Sequence, residues 1–206
     1  MGVQERRARE KEELRQEILE AARELFIQEG YDNVSMRKIA ERIEYSPTTI
    51  YLYFQDKADL FDCIVEEALL KLDEKLLALA IPSDPLADLK VGLRAYIEFW
   101  VQHPQPFRLA YMTDLRSIDA NRQWRFQPVA QKLFGRLRTS LEACRSAGVL
   151  EFDDIEAQSQ AVWAPIYGLA CLLITKPHFP WVDQAKLIDL VVNSAVQAMI
   201  PVPMAV

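Results

Sequence analysis

Ser35 to Lys57 reads SMRKIAERIEYSPTTIYLYFQDK. Ser35 is a good N-cap, and Met36 to Ile43 follow it as about two turns of helix. Ser46-Pro47 signals a second start, a capping oxygen followed by a proline at the first helical position. Only Glu44 and Tyr45 separate the two helices. The apolar positions predict a pair packed on itself: Ile39 and Ile43 on the first helix, Tyr45 in the turn, Ile50 and Tyr53 on the second. Ala40 falls where only a small side chain lets two short helices cross closely. Arg37, Thr48, Thr49, Tyr51 and Lys57 are left pointing outward. The pattern is a helix-turn-helix.

Working outward from this stretch, Leu14, Ile18, Ala21, Ala22, Leu25 and Phe26 recur at helical spacing, and Gly30 closes that helix. Residues 1–13 are polar, with Arg6, Arg7, Arg9 and Lys11 among four glutamates. Two readings stay open for them: a solvated, frayed helix start, or an arm whose arginines reach phosphates or a minor groove. On the other side, Asp56 caps a long helix from Lys57 to about Ala80, with Asp59 placed for the helix dipole. Its apolar face is Leu60, Phe61, Ile64, Ala68 and Leu72, continuing into Leu76, Leu79 and Ala80. A helix of this length reaches both the N-terminal unit and the rest of the chain. The domain boundary is therefore expected at its start, giving 1–56 and 57–206.

Beyond the Ile81-Pro82-Ser83-Asp84-Pro85 break only helical patterns follow. One is predicted from Pro85 to about Val101, a short one from Gln105 to about Leu115, and one from about Phe126 to Ala147, ended by Gly148. Asp153 or Asp154 caps a helix containing AVWAPIYGLACLLI. Being apolar all round, this segment must be buried on more than one face. The last helix, capped by Asp183, carries Leu187, Ile188, Val191, Val192, Ala195, Val196 and Met199 as a broad stripe. Two such helices suggest a four-helix bundle between two copies of the chain, against completion of a single core. The fold class is all-α: a three-helix helix-turn-helix domain and a larger C-terminal helical domain.

Composition narrows the function. Half of the 206 residues are hydrophobic and 26% are charged, as in ordinary globular chains. The net charge of −6 argues against general polyanion binding, so nucleic-acid affinity must come from a local patch. Cys63, Cys144 and Cys171 are odd in number and unclustered, predicting no disulfide, no metal site and a reducing, cytoplasmic setting. The N-terminus is charged and the uncharged run from Ala157 to Thr175 is interrupted, so neither a signal peptide nor a membrane span is expected. With two histidines, no glycine-rich phosphate loop and no HExxH, the chain offers no enzyme chemistry and calls for no cofactor.

Ile18 to Phe61, ILEAARELFIQEGYDNVSMRKIAERIEYSPTTIYLYFQDKADLF, closely resembles the TetR family of transcriptional regulators in order, spacing and residue type over more than forty positions. The C-terminal half is similar to a subgroup with an aromatic helix running into a His-Pro break, here YIEFWVQHPQPFRLAY, and a Trp-x-x-x-His-Gly signature. Trp163 and Gly168 match that signature, Tyr167 replaces its histidine, and Pro165 is an addition predicted to kink the helix. In the head, Glu44 stands at the turn position where the family commonly has glycine, which calls for a left-handed backbone at some cost. Thr48 stands where a small residue is usual, and Tyr53 where histidine is frequent.

The resemblance implies a dimer on double-stranded operator DNA, joined through the last two helices. Ser35 and Ser46 begin the two helices, and the N–H groups behind Ser35 can hold a phosphate. Arg37 can reach a phosphate or a guanine edge; Thr48 and Thr49 suit base edges and a thymine methyl. Tyr51 reaches backbone or base, and Tyr53 is divided between phosphate and core. Lys57, against the helix dipole at its position, makes sense beside an anion. The resemblance also implies a small ligand, expected to be mostly apolar or aromatic, that shifts the long helix and releases DNA. Its candidate lining is Trp100, His103, Phe107, Tyr111, Trp124, Phe126, Trp163 and Tyr167, each also readable as core, and His103 as a helix end. The rivals are a helical interaction module with a vestigial head, and a regulator without a ligand.

Overall fold

The computed structural model describes residues 2–79, 84–114 and 122–201. The predicted end of the long helix at Ala80, the Ile81-Pro82-Ser83 part of the break, and the predicted end of the short helix at Leu115 lie outside the described residues. Those described form nine α-helices: α1 Val3–Glu29, α2 Met36–Arg42, α3 Pro47–Tyr51, α4 Lys57–Leu77, α5 Pro85–Gln102, α6 Pro104–Met112, α7 Phe126–Ser146, α8 Ile155–Thr175 and α9 Gln184–Gln197. A 3-10 turn, Tyr31–Asn33, joins α1 to α2. The all-α expectation holds.

The helices begin where the capping side chains stand. Ser35 accepts from the Lys38 N–H, Ser46 from that of Thr49, Asp56 from that of Asp59, and Asp183 from that of Lys186. Asp154, rather than Asp153, caps α8 through the N–H groups of Glu156 and Ala157. Gly30 ends α1 and Gly148 follows α7, both at positive φ, where an L side chain would be strained.

The chain forms two compact units, one of residues 1–68 with 105–127, the other of 69–104 with 128–206. In the first, Ile18, Ala22, Phe26, Ile39, Ala40, Ile50, Phe54, Leu60 and Phe61 are all buried. Phe26, Tyr31, Phe61 and Trp124 meet ring to ring, with Phe61 at 5.3 Å from Tyr31 and 5.8 Å from Trp124. Each of these large side chains contributes about 1.5–3 kcal/mol by leaving water. The helix-turn-helix therefore has a core deeper than its own two helices supply. Phe54 is one source of that depth, since it closes the bottom of α3. Tyr45, expected inside the turn, is 44% exposed. With α3 only five residues long, the backbone N–H of Tyr45 closes the turn onto the Ala40 carbonyl at 3.0 Å and its ring is left outside.

In the second unit α5, α8 and α9 pack on one another around Leu93, Ile97, Trp100, Val162, Ile166, Ala170, Ile188, Val192 and Val196, all buried. One face of α8 is buried there; the other, with Trp163 and Leu172, is exposed within the single chain. By length and composition α8 is apolar enough to cross a membrane, but its buried face is that of a core helix. Asp73 of α4 joins Lys132 and Arg136 of α7 at 2.8 and 2.6 Å.

Candidate nucleic-acid interface

The α2–α3 pair presents a polar surface over a closed core. Arg37 projects from the first turn of α2 with its side chain 81% exposed, and its Nε donates to Glu41 one turn on. That leaves the rest of the guanidinium fork in water. Thr48 and Tyr51 are exposed on α3, and Leu52 at its end is more exposed still. Thr49 is half-buried, its hydroxyl 2.9 Å from that of Ser46. This bond holds the first turn of α3 and occupies two hydroxyls read from the sequence as contacts. Ser35 and Ser46 are exposed but already cap their helices. The Tyr53 ring is half-buried.

Glu44 is at φ 60°, the left-handed conformation its place in the turn demands. No glycine relieves it.

Lys57 is less free than the sequence suggested. Its ammonium donates to the Tyr31 carbonyl at 2.8 Å and lies 4.1 Å from the centroid of the Tyr31 ring. Partial burial lowers its pKa, with Asp32 opposing. Burial, helped by the charges of Asp56 and Asp32 against that of Arg122, pushes the Tyr31 phenol up to about 12. Lys57 therefore fixes the 3-10 turn to the start of α4, with donor capacity to spare.

Sequence reasoning missed the polar network behind this surface. The Arg122 guanidinium donates to Asp56 at 3.0 Å and lies over the Trp124 ring. Arg125 pairs with Asp59, which also accepts from the Gln55 N–H. The Asp62 carboxylate accepts from the backbone N–H groups of Arg125 and Phe126 at 2.8 and 3.1 Å, capping α7 from another helix. Burial pushes the Asp56 carboxyl up, but the Arg122 bond and charge and the N–H groups of Asp59 and Ala58 leave it below its usual range. The alternation of arginines and aromatics from Arg122 to Phe126 was the available signal. It identified the rings and not what the guanidinium groups do.

The eight aromatic and histidine candidates fall four to a unit. In the first unit Phe107 lies 5.0 Å from Tyr111, and Trp124 stacks on Phe126 at 5.6 Å; Phe107 and Trp124 are buried. In the second, Trp163 lies 5.4 Å from Tyr167, and its Nε1–H donates to the Tyr96 hydroxyl at 3.3 Å. Tyr96 leads on to the buried Trp100 ring at 6.3 Å. The His103 Nδ1–H donates to the Phe99 carbonyl at 2.7 Å while the ring stacks on Phe99, so this histidine closes the end of α5. A cleft of about 380 Å³ in the first unit is lined by Phe26, Tyr31, Arg108, Leu109, Met112 and Asp114 among others, and by none of the eight.

Comparison with known proteins gives two family matches. Residues 18–64 match the bacterial regulatory proteins of the tetR family, and residues 89–195 match the tetracyclin repressor-like C-terminal domain. An HTH-type transcriptional regulator of Staphylococcus aureus (strain USA300) is 40% identical over 57 residues, 28% of this chain and 31% of the relative. The match thus spans less than a third of that relative's length. Among solved structures, the fatty acid degradation regulator FadR from Bacillus halodurans superimposes with a TM-score of 0.71 at 18% identity, covering 88% of this chain and 94% of that one. The TetR family transcriptional regulator PfmR from Thermus thermophilus gives 0.69 at 20% identity, with 87% and 97% covered. At these identities the likeness is one of fold.

Proposed function

The chain belongs to the tetR family of bacterial regulatory proteins, and we propose that it is a sequence-specific DNA-binding transcriptional regulator of the cytoplasm, a dimeric repressor released from its operator by a small, mostly apolar or aromatic ligand. The observation that carries this reading is the α2–α3 surface: two capped helices over a closed core, with Arg37, Thr48 and Tyr51 exposed beside the start of α4. A core this complete leaves those side chains no structural task. They are of the types that contact phosphates and base edges.

Few cations face outward on one head, so useful affinity calls for two heads on two half-sites. The exposed apolar side chains of α8 and α9, Trp163, Leu172 and Leu190, support dimerisation through the last two helices. The functional division falls at Lys57, with 1–56 as reading head and 57–206 as regulatory part. Ligand action then requires different affinity for two states of the protein, since equal affinity shifts nothing.

The test is selection of bound fragments from random DNA, followed by a gel shift on the recovered sequence and on DNA flanking the gene. Recovery of a two-fold symmetric site bound by a dimer is expected. Absence of any shift at low salt overturns the reading and favours an interaction module with a vestigial head. A thermal-shift screen against apolar and aromatic compounds, with hits carried to the gel shift, tests ligand release separately.

A further inference from the structure

The N-terminal end of α1 overhangs its unit. Read from its C-terminal end, α1 pairs through Glu29 with Lys38 at the start of α2, then through Glu24 with Arg42 at the end of α2 at 2.8 Å. Near Arg15 it reaches the segment that joins α3 to α4, the guanidinium lying 5.3 Å from the centroid of Phe54 and close to the Cys63 Sγ of α4. The helix continues beyond that point to Val3, and residues 4–13 are all exposed. From Arg15 to Gln4 this is about 17 Å of helix at 1.5 Å per residue, without protein beneath it.

The inward stripe of α1 does not end with the core. Steps of three and four residues run back from Phe26 and Ala22 to Ile18 and Leu14, and the same register then places Lys11, Arg7 and Gln4. The face that buries apolar side chains within the first unit turns basic where the packing beneath it stops. On the other faces charge is neutralised within the helix. Arg6 pairs with Glu10 at 3.4 Å, Arg9 with Glu13 at 3.3 Å, Arg15 with Glu12 at 3.7 Å, and Glu5 accepts from the Gly2 N–H.

Among the described residues Arg7 and Lys11 have no acidic partner. Their i,i+4 spacing sets like charges side by side, and cations near a helix N-terminus oppose its dipole; both effects destabilise the free helix. An unpacked helix of this length is also marginal in water. A polyanion lying along the stripe relieves all three.

We infer that the first turns of α1 form a second DNA contact, Gln4, Arg7 and Lys11 lying along the phosphate backbone beyond the end of α3, outside the bases that α3 reads. The inference rests on the DNA-binding reading above. The contact is to phosphate and carries no base preference, so it strengthens binding and lengthens the protected site without changing the sequence selected.

The experiment measures affinity of the full-length protein for its selected operator across a salt series, for wild type, R7Q/K11Q and R9Q. Each phosphate contact contributes about 0.9 to the slope of log K against log salt, so losing four in a dimer flattens it by about 3–4. R9Q, on the opposite face and paired with Glu13, leaves the slope unchanged. Wild type loses affinity when the duplex is trimmed outside the half-sites, and R7Q/K11Q does not. Melting temperatures stay together, because neither side chain packs on anything. An unchanged slope in R7Q/K11Q, equal flattening by R9Q, or indifference of wild type to trimming overturns the inference while DNA binding stands. Failure of wild type to bind any DNA overturns both.

Discussion

Among the described residues Glu44 carries the clearest local strain. At φ 60° it sits in a region where Cβ crowds the following carbonyl, at a cost of about 1–2 kcal/mol for an L-residue. Its side chain is exposed. Glu44→Gly removes the crowding and restores some unfolded-chain entropy, so a net gain of about 1 kcal/mol is expected, read as a rise of about 2–4 °C in melting temperature. A fall would show that the turn is not strained. Arg37 and Tyr51 test the opposite property. Both are exposed, and the only partner of Arg37 among the described residues is Glu41 on its own helix. Arg37→Ala and Tyr51→Ala should leave the melting temperature within about 1 °C of wild type. On the proposed function, Arg37→Ala should weaken operator binding by about 1–3 kcal/mol per contact. Unchanged affinity in both variants would remove the α2–α3 surface from consideration.

Helices and their starts were legible because the information is local. Ser35, Ser46, Asp56 and Asp183 sit within three residues of the N–H groups they accept from. The apolar periodicity of α4 likewise placed Leu60, Phe61, Ile64 and Leu72, all buried. What local pattern could not give was satisfaction over long sequence separation. Asp62 caps α7, whose first residue is 64 positions away, and Arg122 reaches back to Asp56. Lys57 appeared outward by helix register, yet the carbonyl it serves belongs to Tyr31. These long-range ties make testable elements. Asp62→Ala leaves two N–H groups at the start of α7 without their acceptor and should cost about 1–2 kcal/mol in urea unfolding. Asp73, buried, also feels burial first, but the bonds and charges of Lys132 and Arg136 hold its carboxyl below the usual range. A carboxyl with a lower pKa folded than unfolded contributes stability above its unfolded value, near 4, and loses it as pH falls through the folded value. With both partners partly exposed, Asp73→Asn should cost about 1–2 kcal/mol at pH 7 and less at a pH below the usual carboxylate range. A cost equal at both pH values would mean that packing, not charge, accounts for it.

At the scale of the molecule, the dimer of the proposed function is supported by the exposed apolar surface of the second unit. α8 buries Val162, Ile166, Leu169, Ala170 and Ile174 but leaves Trp163 at 37% and Leu172 at 46% exposure, while Leu190 of α9 stands at 53%. Single exposed leucines are ordinary; several on two adjacent helices, one of them apolar on every side, are the composition of an interface. A two-fold contact places the same patch on both copies, so one charge introduced on it enters the interface twice. Leu172→Glu therefore brings two carboxylates into surface that the dimer needs dry, yet in the single chain it meets water. The expected outcome is a monomer by light scattering, a helical spectrum equal to wild type, and operator binding weakened by orders of magnitude, because one head alone offers few phosphate contacts. Net charge strengthens this expectation. At −6 per chain, a second copy adds repulsion from DNA as well as a second head, and only the local cations of two correctly spaced heads overcome it. A Leu172→Glu protein that stays dimeric would move the interface off α8. One that becomes monomeric but binds its operator unchanged would refute the requirement for two heads.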